Sequence, residues 1–274
     1  MIPGAEQEME ERIGIPPRNH RLRRGIYLLP TSLSAANLLC GYYAILEALN
    51  GRPVDMDNAA LAIGFAILFD VLDGRVARAT RTNTEFGKQL DSLADMISFG
   101  VAPAFLAFAW GVRGVLAADV PEAKLVWELG WLVTFTFVIC CAWRLARFNI
   151  QGMAPGGMRY FVGLATPPAA GMLAAVVHAV RTPITDWRVS LLWLALVLGI
   201  ALLMPSTIRY YSFKDVQWAR RQHSVAFVAL ALLLAAIFFY SEIALLIIAV
   251  AYVLSGPTAH LVRVVRHHTA SRPA

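Results

Sequence analysis

Four aspartates, Asp70, Asp73, Asp91 and Asp95, stand as two pairs inside otherwise apolar sequence. Asp70 and Asp73 are spaced i, i+3, and Asp91 and Asp95 are spaced i, i+4, so each pair shares one helical face. The segment between them is polar and threonine-rich, with its middle near Thr82. An antiparallel hairpin turning there sets Asp73 level with Asp91 and Asp70 level with Asp95. Carboxylates in a membrane are costly unless paired or coordinated, which makes such a quartet a functional-site hypothesis. Ion pairs to Arg75 and Arg78 are the competing explanation, but four acids leave negative charge that these bases do not cancel. No His or Cys adjoins the quartet in sequence, so the ligands are oxygen only. That donor set selects Mg²⁺, Mn²⁺ or Ca²⁺ over zinc or copper. The number of carboxylates suits two ions, the usual clamp for phosphoryl chemistry.

The surrounding elements must hold these acids in lipid. Hydrophobic residues make up 58% of the 274-residue chain and charged residues only 15%, whereas a soluble domain carries nearer a quarter charged. Runs long enough to cross a bilayer core fall at about 27–49, 58–79, 89–112, 124–147, 160–180, 188–209, 224–240 and 242–262. The expected fold is an all-α, polytopic membrane bundle of six core spans plus two C-terminal ones. The chain divides into a polar and basic arm (1–24), a transmembrane core (25–212) and a C-terminal helical hairpin with a basic tail (213–274). The first 25 residues lack the apolar core of a cleavable signal. With the N-terminus inside, every one of the 24 basic residues except Arg52, Arg113, Lys124, Arg181 and Arg188 falls on the inner side. The positive-inside bias therefore places the N-terminus, the 79–88 loop and the aspartates at the cytoplasmic face of the cytoplasmic membrane. The net charge of +6 sits at span ends, which suits lipid headgroups and not nucleic acid. Cys40, Cys140 and Cys141 lie in apolar runs and read as buried thiols.

Small residues border the acids. Gly74 and Ala77 leave one side of the second span without bulk, and Gly87 does the same at the start of the third. The complete pattern, Asp70-x₂-Asp73-Gly74-x₂-Ala77-Arg78-x₈-Gly87-x₃-Asp91-x₃-Asp95, resembles the signature of the CDP-alcohol phosphotransferases without a departure. Within that family, several stretches are similar to the phosphatidylserine synthase branch. They are Phe86 to Ala104, Asn37-Leu-Leu-Cys-Gly41, Arg144-Leu-Ala-Arg-Phe-Asn149 and Gly163-Leu-Ala-Thr-Pro-Pro168.

The resemblance implies transfer of a phosphatidyl group from CDP-diacylglycerol to L-serine, giving phosphatidylserine and CMP, in a homodimer. It makes Asp70, Asp73 and Asp91 metal ligands, and Asp95 the general base with a share in the metal. It also implies that Asp70, Gly74, Ala77, Arg78 and Gly87 accommodate the CDP moiety. No covalent nucleophile stands in the cluster, so direct in-line attack is expected. Serine brings a carboxylate that suits an arginine fork. Arg144 and Arg147, at the inner end of the fourth span, are candidates for it, with Ser98 and Asn149 as further polar contacts. A sister transferase with glycerol 3-phosphate, inositol phosphate or another amino alcohol as acceptor is the alternative, although a phosphorylated acceptor needs a denser basic pocket. A cation transporter fits poorly, because all four acids lie near one face.

Overall fold

Small side chains let the first two helices approach closely. In the computed structural model, which describes residues 20–80, 84–118, 120–151, 160–211 and 241–270, α1 (His20–Asn50) turns back into α2 (Pro53–Thr80). Together they bury Ala44, Ala48, Ala59, Ala60, Ala62 and Ala66 in the shared core, the small-residue packing expected where lipid offers no hydrophobic drive. Gly51 makes the turn at φ 81°, a conformation that glycine adopts without steric cost. Arg113 donates to the carbonyls of Ala48 and Leu49 at 3.3 and 2.9 Å, satisfying the last acceptors of α1. Arg52 forks onto Asp55 at 2.6 and 2.9 Å at the start of α2.

The third predicted span is a chain of segments. The Thr84 hydroxyl caps α3 (Glu85–Asp95) by accepting from the Gly87 amide at 3.0 Å. A π-helical stretch, Met96–Val101, follows directly, then α4 (Ala102–Gly111) and α5 (Arg113–Ala117). α6 (Ala123–Gln151), α7 (Thr166–Val180) and α8 (Trp187–Leu203) complete the core, and α9 (Ser241–Ala270) lies against α7. Trp193 of α8 donates to the Ala107 carbonyl at 3.0 Å. A side chain on Gly111 would collide with that indole at 2.1 Å.

Among the described residues, helices cover the predicted spans with one addition. The spans at 160–180 and 188–209 are shorter as helices, because Tyr160–Val162 pairs antiparallel with Arg209–Tyr211. The ribbon depends on Gly163, whose φ is +80° and whose added Cβ would meet the Met204 carbonyl oxygen at 2.2 Å. The expected span at 224–240 lies outside the described residues, as do residues 1–19 of the arm and 271–274 of the tail.

Among the described residues, four helical stretches are long and apolar enough to cross a membrane, namely Thr31–Asn50, Glu85–Ala117, Ala123–Ile150 and Ser241–Val262. Large apolar side chains such as Leu39, Phe65, Leu68, Phe135, Leu192 and Ile247 point outward, as a lipid-facing surface requires. At the end of α2 remote from Asp70 and Asp73, a polar knot ties α2, α7 and α9 together. His178 meets Asp57 through Nδ1 and Ser241 Oγ through Nε2 at 3.0 Å, while Arg181 bridges Asp57 and Glu242.

Candidate metal and nucleotide centre

Three carboxylates from two helices converge. One oxygen each of Asp70 on α2 and of Asp91 and Asp95 on α3 lie within 4.8 Å of one another, the arrangement of a site that can hold a cation. Among the described residues, none of the four aspartates pairs with Arg75 or Arg78, so the competing ion-pair explanation finds no contact. Asp91 Oδ1 is buried without a hydrogen-bond partner. A buried carboxylate oxygen in that state is costly, and a hard divalent ion is the partner that oxygen-only donors suit.

The fourth acid takes another role in the geometry. Asp73 is buried one turn further along α2 and accepts a short hydrogen bond from the Ser34 hydroxyl of α1. Asp95 is held in the same way, since Asn37 Nδ2 donates to its Oδ1 at 3.0 Å. Ser34 and Asn37 are i, i+3 on α1 and so face the same side, each steadying one aspartate. Neither carried a role in the sequence reading. Their signal was two polar residues at helical spacing within an apolar span, which periodicity alone does not connect to acids 39 and 58 residues away.

The π-helical stretch begins immediately after Asp95. Such turns widen a helix locally and recur at functional sites. Here it carries Ser98 toward α1, where the fully buried hydroxyl donates to the Asn37 carbonyl at 2.8 Å. Gly41 permits the approach, because a Cβ there would sit 2.5 Å from Ser98 Oγ and 2.7 Å from Ser98 Cα. Ser98 is thus a contact between α1 and the π stretch.

Two of the nucleotide candidates, Gly74 and Gly87, each have a single neighbouring side chain where a Cβ would stand. A Cβ on Gly74 would meet only the Arg78 guanidinium, at 3.7 Å, and Arg78 itself is exposed. Gly87 lies against the capping Thr84 hydroxyl, 3.0 Å from where its Cβ would be. Of the acceptor candidates, Arg144 on α6 lies within electrostatic reach of Asp95 and of Tyr252 on α9. Its Nε is buried without a hydrogen-bond partner. Arg147 donates to the Pro205 carbonyl at 3.4 Å. Asn149 is exposed and donates to Ser92 Oγ at 3.0 Å.

The sequence profile of the CDP-alcohol phosphatidyltransferase family matches residues 27–201. The CDP-diacylglycerol–serine O-phosphatidyltransferase of Helicobacter pylori is 33% identical over 194 residues, covering 70% of this chain and 76% of that one. The archaetidylserine synthase of Methanothermobacter thermautotrophicus is 35% identical over 184 residues, covering 66% and 69%. Among solved structures, the phosphatidylinositol phosphate synthase of Mycobacterium tuberculosis with manganese and citrate overlaps 68% of this chain and 83% of its own, with 21% identity and a TM-score of 0.43. This chain belongs to the CDP-alcohol phosphatidyltransferase family and is a multi-pass membrane enzyme.

Proposed function

We propose that this enzyme transfers the phosphatidyl group of CDP-diacylglycerol to L-serine, releasing CMP, at the centre formed by Asp70, Asp91 and Asp95. The observation that carries the reading is the convergence of these carboxylates within 4.8 Å, with Arg144, whose Nε is buried, acting electrostatically on Asp95. Relatives named for serine transfer on two different lipid backbones support the choice of acceptor.

The residues present fit a divalent cation, Mg²⁺ or Mn²⁺, held by Asp70, Asp91 and Asp95, with Asp73 completing the set for a second ion. Such ions, when bound, neutralise the pyrophosphate oxygens of the CDP-lipid. Around them, the open face at Gly74 and Ala77 admits the cytidine nucleotide, Gly87 borders the same opening, and Arg78 pairs with a phosphate. Asp95 accepts the proton of the incoming hydroxyl, because a primary alcohol is a weak nucleophile near neutral pH. Asn37 donates to one Asp95 oxygen and so orients the carboxylate toward that proton. The hydroxyl oxygen then bonds to the phosphatidyl phosphorus as the bond to CMP breaks, with no covalent enzyme intermediate. Arg144, with Arg147 nearby, receives the serine carboxylate. Residues 25–212 form the catalytic core, to which α9 is appended. The enzyme works as a homodimer, with its N-terminus and active site facing the cytoplasm from the inner membrane.

The test is an acceptor panel with purified protein, CDP-diacylglycerol and Mg²⁺ or Mn²⁺. Serine should release CMP in a 1:1 ratio with the phospholipid formed. Preference for glycerol 3-phosphate or inositol phosphate would overturn the assignment. Labelled CMP should not exchange into CDP-lipid without serine, and clear exchange would rule out direct attack.

A further inference from the structure

Serine offers three groups to a site: a hydroxyl, a carboxylate and an ammonium. The proposed function, on which this inference rests, gives Asp95 to the first and Arg144 to the second. The third needs a hydrogen-bond acceptor next to Asp95. Asn37 supplies one. Its side chain is completely buried and its Nδ2 is committed to Asp95 Oδ1 at 3.0 Å. Its Oδ1, the other end of the same amide, is buried with no hydrogen-bond partner. A carboxamide oxygen in that position is costly unless a ligand satisfies it. The opposite polarity occurs at Arg144, which acts electrostatically on Asp95 and whose Nε is a buried donor without a hydrogen-bond partner. An orphan acceptor on Asn37 and an orphan donor on Arg144, both acting on Asp95, match a zwitterion, with ammonium toward Asn37 and carboxylate toward Arg144.

We infer that Asn37 is an acceptor-specificity residue whose Oδ1 receives the ammonium of a 2-amino acid while its Nδ2 holds Asp95. The backbone makes this position firm. Ser98 donates to the Asn37 carbonyl at 2.8 Å, and Gly41, one turn along α1, lets the π stretch close against the helix. Acceptors that carry phosphate or only hydroxyls bring no ammonium, so they leave Oδ1 unpaired and are disfavoured. The discrimination therefore arises on α1, outside the aspartate motif.

The test compares serine with 3-hydroxypropionate, which keeps the hydroxyl and the carboxylate and lacks the amino group. Each is measured as an acceptor, or as a competitive inhibitor of labelled-serine transfer where turnover is below detection. Wild-type enzyme should favour serine, and Asn37→Ala should reduce that preference by about 10- to 100-fold, the worth of a hydrogen bond to a charged group. If Asn37→Ala does not fold, the same ratio is read in Asn37→Ser, whose short hydroxyl keeps a polar group in place but falls short of the ammonium. A merely structural role would lower turnover of both acceptors equally, and an unchanged ratio overturns the inference. A raised Mn²⁺ requirement with an unchanged ratio assigns Oδ1 to a cation and also overturns it. Absence of serine turnover in the wild type would instead refute the serine reading itself.

Discussion

Replacing Asp91 by Asn separates a cation cage from a structural carboxylate cluster. The oxygens of Asp70, Asp91 and Asp95 lie within 4.8 Å of one another. At that separation, and with an effective dielectric of about 20, two negative charges repel by roughly 3.5 kcal/mol. Asp91 takes part in two such pairs, so Asp91→Asn removes up to about 7 kcal/mol of repulsion from the metal-free protein. Protonation and solvent relaxation absorb part of this, and a net gain on the order of 1–3 kcal/mol is expected. For a chain of this size that corresponds to a melting temperature higher by roughly 2–10 °C in detergent with chelator. Added Mn²⁺ should reverse the order, because a ligand at about 1,000 times its Kd stabilises the wild type by roughly 4.1 kcal/mol and the variant far less. Thermal melts with chelator and with Mn²⁺, read alongside CMP release, measure all three quantities. Turnover should fall by at least about 100-fold. The reasoning is refuted if Asp91→Asn melts lower than wild type in chelator and gains the same increment from Mn²⁺.

Other outcomes follow from the same geometry. Asp95→Asn should lower turnover about 10²- to 10⁴-fold, the range of a general base, while CDP-lipid binding persists by equilibrium dialysis into micelles. Arg144→Ala should raise the KM for serine far more than the KM for CDP-diacylglycerol, and equal effects on both would remove the acceptor role. Gly163→Ala should destabilise the fold by a few kcal/mol, because positive φ and the Met204 carbonyl at 2.2 Å leave no room for a methyl group. A melting temperature unchanged in that variant would contradict the account of the ribbon.

What the sequence made legible was local. The i, i+3 and i, i+4 spacings put two aspartates on each helical face, and a short polar link folded one face onto the other. The structure places Asp70, Asp91 and Asp95 together across that hairpin. Asp73 points instead to Ser34, and this depends on how α1 packs, which no spacing within 70–95 encodes. The π stretch after Asp95 was hidden for a similar reason, since Met96 to Val101 has no composition that separates it from ordinary helix. Ser98 looked like a polar residue free for a ligand, yet it serves the contact that Gly41 permits. The ribbon between Tyr160–Val162 and Arg209–Tyr211 was read as span ends, because apolar and aromatic residues suit both helices in lipid and short strands. Only the φ of +80° at Gly163 distinguishes them, and hydropathy does not report it.

The central claim is that the three-aspartate centre holds the metal that meets the CDP-lipid. Electron paramagnetic resonance of bound Mn²⁺, with ³¹P hyperfine detection, tests it directly. The account predicts a bound-Mn²⁺ spectrum that acquires ³¹P coupling when CDP-diacylglycerol is added and loses both signals in Asp91→Asn. Bound Mn²⁺ without ³¹P coupling in the wild type, or coupling that survives in Asp91→Asn, would contradict it.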